Sequence, residues 1–207
     1  AAGVISFHST QILTSGEGGA VVTSDRKLWR LVHSLQNGGR DMQAKTEAFA
    51  RCGHNNRFPE ISALLGLAQY RSLRQLVAAR NETASYYRHR LQEEAPGVAM
   101  QVYPDNVEHS YWKFLISLPK GVSRDQVKLF LRRRGVPASL CCYPALHREP
   151  VLADAGEPEA ANCPVADDLG ERTLCLPTDP RISPSQRQKV VDVLLEALRE
   201  TGAPLAS

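Results

Sequence analysis

The 207-residue sequence holds only five cysteines, and no C-x-x-C pair occurs among them. Cys52, Cys141, Cys142, Cys163 and Cys175 are odd in number and two are adjacent, which argues against a disulfide framework or a zinc site and fits a reducing cytoplasm. No apolar run approaches the roughly 20 residues that a bilayer-spanning helix needs. The opening residues Ala1-Ala2-Gly3-Val4-Ile5 lack the basic and apolar regions of a signal peptide. Charge of either sign is scarce in surplus: the net value is +3, too small to argue for nucleic acid. The dense basic run Arg132-Arg133-Arg134 closes an amphipathic helix, where cations favour the negative end of the helix dipole. Internal repeats and low-complexity segments are absent as well. The expectation is a cytoplasmic protein with neither nucleic acid nor membrane as partner.

What is present suits a packed α/β chain. Apolar residues make up 43% and charged residues 23%, as in ordinary globular proteins. Val4 to Phe7 and Ala20 to Thr23 read as short strands joined by a glycine-rich turn. Ser24 or Asp25 can cap a helix carrying Leu28, Leu31, Val32 and Leu35, which Asn37-Gly38-Gly39 stops. Asp41 to Cys52 reads as loop. Helical periodicity starts at Pro59, with Ile61, Leu64, Leu65, Ala68 and Leu73 as an apolar face. It continues to Glu94, with Leu76, Ala79, Thr83, Tyr86, Tyr87 and Leu91 inward.

The rest alternates. Val98 to Val102, Tyr111 to Leu118 and Pro137 to Tyr143 read as strands. Ser123 with Gln126, and Ser183 with Gln186, have the capping-box spacing that satisfies free N–H groups at a helix start. Asp154 to Asn162 reads as loop, Val165 to Thr173 as a short helix, and Val190 to Leu198 as the apolar side of the last helix. The first part looks like the end of a larger α/β domain, because a complete doubly wound sheet needs more strands than these. The second, from about Val107 to Glu200, forms a compact α+β domain, and Thr201 to Ser207 a tail.

Five segments carry a family resemblance. Ser6-Phe7-His8-Ser9-Thr10-Gln11, followed by Gly16-Glu17-Gly18-Gly19, is similar to S-F-H-x-T-K … G-E-G-G. Gln36-Asn37-Gly38-Gly39-Arg40 is similar to an N-H-G-R turn. Gly53 to Gln69 is similar to G-Y-N-Y-R-M-x-E-x-x-A-A-x-G-x-x-Q. Cys142-Tyr143-Pro144-Ala145-Leu146-His147 is similar to H-Y-x-P-x-H, and Cys163 to Asp167 with Leu174 to Pro177 to F-P-x-A-E … L-P. In this order they resemble the DegT/DnrJ/EryC1/StrS aminotransferases, which aminate keto-sugars and cyclitols.

That resemblance implies a fold-type I transferase dependent on pyridoxal 5'-phosphate, working as a dimer with sites at the subunit interface. It matches the C-terminal half of the pattern. Residues 1–72 would be the end of the large cofactor domain, 73–106 a long connecting helix and linker, and 107–200 the small α+β domain. The parts that carry the phosphate-binding turn, the aromatic that stacks on the cofactor ring and the acid that pairs with the pyridine nitrogen have no counterpart here.

The resemblance also assigns residues. Gln11 stands at the lysine position; an amide can neither form a Schiff base nor carry a proton as an amine does, so no catalytic residue is assigned. Ser6 matches a serine that bonds the cofactor phosphate, the alternative being a strand-end serine. Asn55 matches an asparagine that reaches the partner subunit's phosphate, against a loop asparagine suited to left-handed backbone. Gln11 completes the cofactor set. His147 is placed to line the substrate pocket, against a hydrogen-bonded structural histidine. Arg57 is expected to anchor its loop through Glu60 or a partner acid, and Glu17 to fix the glycine-rich turn as a carboxylate. Cys142 stands where the family often has histidine and is read as packing. His8 lies before the lysine position, so the histidine that replaces lysine in deoxysugar dehydratases has no counterpart in it.

Three functions follow from these residues. The chain completes a heteromeric aminotransferase in antibiotic or sugar biosynthesis, sharing the cofactor with, or leaving it to, a homologous subunit. Alternatively it is a truncated or lysine-to-glutamine form of a sugar or cyclitol aminotransferase, forming a homodimer. The third is a lysine-independent dehydratase using pyridoxamine phosphate, for which a neutral amide is a poor base.

Overall fold

The two β-prone runs pair as an antiparallel ribbon. β1 (Ala2–Ser6) and β2 (Gly19–Thr23) run in register from Ala2 opposite Thr23 to Ser6 opposite Gly19. The computed structural model describes residues 1–41, 43, 48–140, 144–153, 162–203 and 205. Expectations for Cys141, Cys142 and Tyr143, and for most of the 154–162 loop, lie outside these residues. The chain divides into two units, Ala1–Leu76 and Val77–Ser207.

In the first unit, α1 (Arg26–Gln36) starts at Asp25, whose carboxylate accepts from the Lys27 and Leu28 amides at 2.7 and 3.2 Å. Its end is a knot of backbone bonds. Gly38 and Gly39 take φ of +73° and +84°, conformations that cost an L side chain energy. The chain then returns so that the His54 amide donates to Leu35 O (2.7 Å) and the Asn56 amide to Gln36 O (2.9 Å). Buried Ser34 donates to Arg40 O at 2.7 Å and accepts from Arg51 Nη1 at 2.6 Å.

The helical pattern from Pro59 becomes one helix, α2 (Glu60–Glu94). The apolar face expected at its start is not core in this chain: Ile61 is 83% and Leu64 62% exposed. The ribbon behaves alike, with Val4 82% exposed. Apolar periodicity identifies which side of an element seeks a partner, but the described residues supply none for these faces.

The second unit has its own core. β3 (Ala99–Met100), β4 (Phe114–Ser117), β5 (Ser139–Leu140) and β6 (Thr173–Leu176) form an antiparallel sheet in the order β3-β4-β6-β5. α3 (Arg124–Arg133) and α6 (Pro184–Glu200) begin at the expected serine caps. In α6 the box is reciprocal, Gln186 Oε1 accepting from the Ser183 amide at 2.8 Å. These helices and the later turns of α2 bury Tyr87, Leu91, Phe114, Ile116, Val127, Leu131, Leu174 and Leu194 together.

Three expectations shift. The strand from Tyr111 starts only at Phe114, because Tyr111 has φ of +44° and breaks the extended chain. The strand at Val98 to Val102 shortens to Ala99–Met100, and the one at 137–143 is described at Ser139–Leu140. β6 is a central strand that propensity does not mark, because it follows the short helix α5 (Pro164–Arg172) with no intervening turn. A 3₁₀ turn (Leu146–Arg148) and α4 (Pro150–Ala153) precede α5. The arginine run closes α3 as expected, with Arg134 Nη1 donating to Glu196 at 2.8 Å. Among the described residues, no helix is long and apolar enough to cross a membrane.

Candidate functional site

The residues assigned from the sequence fall on two segments of the first unit. Ser6 ends β1, and its hydroxyl accepts from the His8 amide at 3.3 Å. Gln11 follows in a tight turn, its amide donating to His8 O at 2.9 Å. Beyond it, the Phe7 carbonyl accepts from the Ser15 amide (3.0 Å) and the Thr14 hydroxyl (3.1 Å), and the Phe7 amide donates to Gly18 O at 2.9 Å. Residues 8–17 are thus a closed loop held at both ends by the ribbon.

The loop is braced by Phe58. Its ring lies 6.1 Å from that of Phe7, and a side chain on Gly18, whose φ is +139°, would collide with it. A Cβ on Gly66 of α2 would touch Ser15 Cβ at 3.4 Å. The segment carrying Asn55 and Arg57 therefore runs past the loop carrying Ser6 and Gln11. Asn55 is exposed and forms a β-bridge with Asn37, which fixes its backbone at the end of α1. Among the described residues no hydrogen bond joins Asn55 to Ser6 or Gln11.

The Glu17 carboxylate is 83% exposed and lies 3.8 Å from His8 Nε2 across the loop, and its backbone carbonyl accepts from Ser15 Oγ at 2.7 Å. Arg57 is exposed and makes no ion pair with Glu60 among the described residues; it lines a groove of about 700 Å³ with Val4, Val21, Trp29 and Phe58. Sequence reasoning missed His33 in the same groove: its Nδ1 is buried without a partner among the described residues, and its ring lies 5.2 Å from that of Trp29. Its helical spacing from Trp29 was the available signal.

His147 belongs to the second unit. Its side chain is 9% exposed, with Nε2 3.0 Å from Asp167 Oδ1. Arg148 takes the same carboxylate in a fork, Nε at 3.0 Å and Nη2 at 2.7 Å. The bonded guanidinium of Arg148, with His147 beside it, holds Asp167 at about 2. Asp167 lies in a quoted motif, but nothing in a separation of 19 residues from Arg148 announces their pairing.

Chemically, the loop offers hydroxyls at Ser6, Ser9 and Thr10 and the amide of Gln11. Hydroxyls and backbone amides suit a phosphate. The turn presents no amine where a carbonyl cofactor would be tethered. The residues of this chain therefore do not fit covalently held pyridoxal phosphate, although Ser6 and Asn55 remain suited to its phosphate.

Comparison with known proteins gives a consistent pattern. A sequence model of the DegT/DnrJ/EryC1/StrS aminotransferase family matches residues 1–195. The chain is 30% identical to a UDP-N-acetyl-3-dehydro-alpha-D-glucosamine 3-aminotransferase of Acidithiobacillus ferrooxidans, over 93% of this chain and 49% of that protein. It superposes on S. venezuelae DesV, solved in complex with a ketimine intermediate, with a TM-score of 0.82 and 27% identity, covering 94% of this chain and 51% of the other. Helicobacter pylori PseC, an aminotransferase involved in pseudoaminic acid biosynthesis, shares the fold with a TM-score of 0.85 at 23% identity, covering 96% and 53%. The chain spans about half the length of the relatives it matches.

Proposed function

Because the chain belongs to the DegT/DnrJ/EryC1/StrS aminotransferase family, whose members depend on pyridoxal phosphate, we propose that it is a lysine-less subunit completing a heteromeric aminotransferase. The observation that carries this reading is Gln11, bonded into a tight turn, at the position that by the resemblance of Ser6 to Gln11 to S-F-H-x-T-K corresponds to the family's lysine. A homologous subunit supplies the lysine and most of the cofactor's contacts. This chain contributes Asn55 to the phosphate of the shared cofactor, and His147 to the substrate pocket. The exposed apolar faces of β1, β2 and early α2 support a covering partner. The substrate is a keto-sugar, cyclitol or related biosynthetic intermediate; relatives named for UDP- and dTDP-linked sugars support the sugar class. The cysteine pattern supports a cytoplasmic location.

Co-expression with lysine-bearing family members of the same genome tests the reading. Tagged chain should co-purify with one of them and raise its transamination of a UDP-linked 3-keto-sugar with glutamate as amino donor. If no candidate co-purifies or gains activity, the heteromeric reading is wrong.

A second reading is favoured by the intact loop around position 11: Gln11 replaces a lysine in an otherwise ordinary sugar aminotransferase. Gln11→Lys, in a chain joined to the N-terminal half of a relative, should then form a borohydride-reducible adduct with pyridoxal phosphate at position 11. Absence of that adduct by mass spectrometry removes this reading.

A further inference from the structure

The sheet of the second unit has two faces: α3, α6 and the later turns of α2 fill one, and α5 with the 3₁₀ turn lies over the other. Strand alternation sends Phe114 and Ile116 into the core and leaves Leu115 and Ser117 on the opposite side. Ala99 pairs with Ser117, and Thr173 pairs with it from the other flank. Over this second face lie Leu146 from the 3₁₀ turn and Leu169 from α5, 75% and 43% exposed, which border an open cavity of about 430 Å³. Its walls are apolar apart from Gln101, Ser117 and Thr173.

Gln101 is the informative residue. Its backbone carbonyl accepts from Arg88 Nη1 at 2.8 Å, which fixes the chain at this point. Its side-chain Oε1 is buried and has no hydrogen-bond partner among the described residues. A buried acceptor without a donor is costly and rare in native structures. The Ser117 and Thr173 hydroxyls lie 3.4 Å from each other, and neither is bonded to Gln101 Oε1. Apolar walls, a volume within the range of small-molecule sites and one unmet polar group are the attributes of a ligand pocket.

We propose that this cavity binds a small, neutral, largely apolar molecule with a single N–H or O–H donor, which donates to Gln101 Oε1. A charged ligand is disfavoured, because no ionisable side chain lines the cavity among the described residues. The site belongs to the second unit, whereas residues 6, 11 and 55 belong to the first, and it does not depend on amination chemistry.

Indole and benzofuran are matched probes, the same bicycle with and without a donor. Each would be titrated into the full chain carrying labelled leucine and alanine methyls and followed by NMR. Indole should shift the Leu115, Leu146 and Leu169 methyls saturably, and bind about ten-fold tighter than benzofuran. Gln101→Met keeps the side-chain length but removes the acceptor, and should erase that preference. Leu169→Trp fills the cavity and should abolish both titrations while leaving the core methyls of Leu131 and Leu194 in place. The proposal fails if indole gives no saturable shift at those methyls, if the two probes bind equally, or if Gln101→Met retains the preference for indole.

Discussion

Gly53 lies so close to Gly39 that a methyl group added to Gly53 would collide with the Gly39 amide nitrogen. The reverse substitution collides with the Arg51 carbonyl and also places a side chain at φ +84°. This contact returns the chain to the end of α1 and sets the backbone of Asn55.

Gly39→Ala should therefore loosen that segment. The φ alone costs about 1–3 kcal/mol, and the collision adds to it. Hydrogen exchange is the measurement: the His54 and Asn56 amides, bonded to Leu35 and Gln36, should lose protection, while α6 amides stay unchanged. Unaltered protection at His54 would show that the turn tolerates a side chain.

The two ends of α2 should respond differently to the same truncation. Leu91 is fully buried and Leu64 is 62% exposed. Leu91→Ala should cost about 2–5 kcal/mol in urea unfolding, and Leu64→Ala no more than about 0.5 kcal/mol. Bound to a covering subunit, Leu64→Ala should weaken the complex. A large loss from Leu64→Ala in the isolated chain would mean that this face is already packed.

Asp167 supplies an acid-side prediction. Its folded value of about 2 lies below the ordinary carboxylate value, so it adds stability above about pH 4 that is lost as pH falls toward 2. A carboxyl ¹³C titration should place its inflection near 2. Arg148→Ala should raise that inflection, since the Arg148 fork is the leading cause of the shift. An unmoved inflection in the variant would remove Arg148 from that role.

Tyr111 gives the alkaline counterpart. Burial first, then its hydroxyl bond to Tyr103, pushes its phenol up to about 12. The neutral form is favoured in the fold, so this stability is full below about pH 10 and disappears as pH rises through 12. In an ultraviolet titration, Tyr103→Phe should lower the Tyr111 midpoint without returning it to about 10, because burial persists. A midpoint unchanged by the substitution would show that Tyr103 contributes nothing.

Sequence reading succeeded where a local rule has a local cause. Ser183 and Gln186 announce a helix start because both partners of the capping bond lie within four residues. The ribbon was visible in Val4-Ile5 and Val21-Val22, and α2 in its apolar periodicity. β6 escaped because Thr173 to Leu176 has no turn before it and is too short to display alternation. The exposure of Ile61 was equally hidden, since periodicity records a preference for burial and not the presence of a neighbour. At the site, position 11 was conspicuous through its motif. The Arg148–Asp167 fork and the unmet Gln101 acceptor arise only when distant segments meet.

The open β1–β2 ribbon also bears on how much of this polypeptide a cell can keep. Among the described residues the outer edges of these two strands are unpaired, and such edges with β-branched side chains facing water are a template for further strands. Synthesised in excess over whatever covers it, such a segment would be drawn into aggregates or consigned to chaperones and proteases. Its steady-state level would then follow the supply of its cover. Matched dosage would result from turnover alone, without a dedicated regulator.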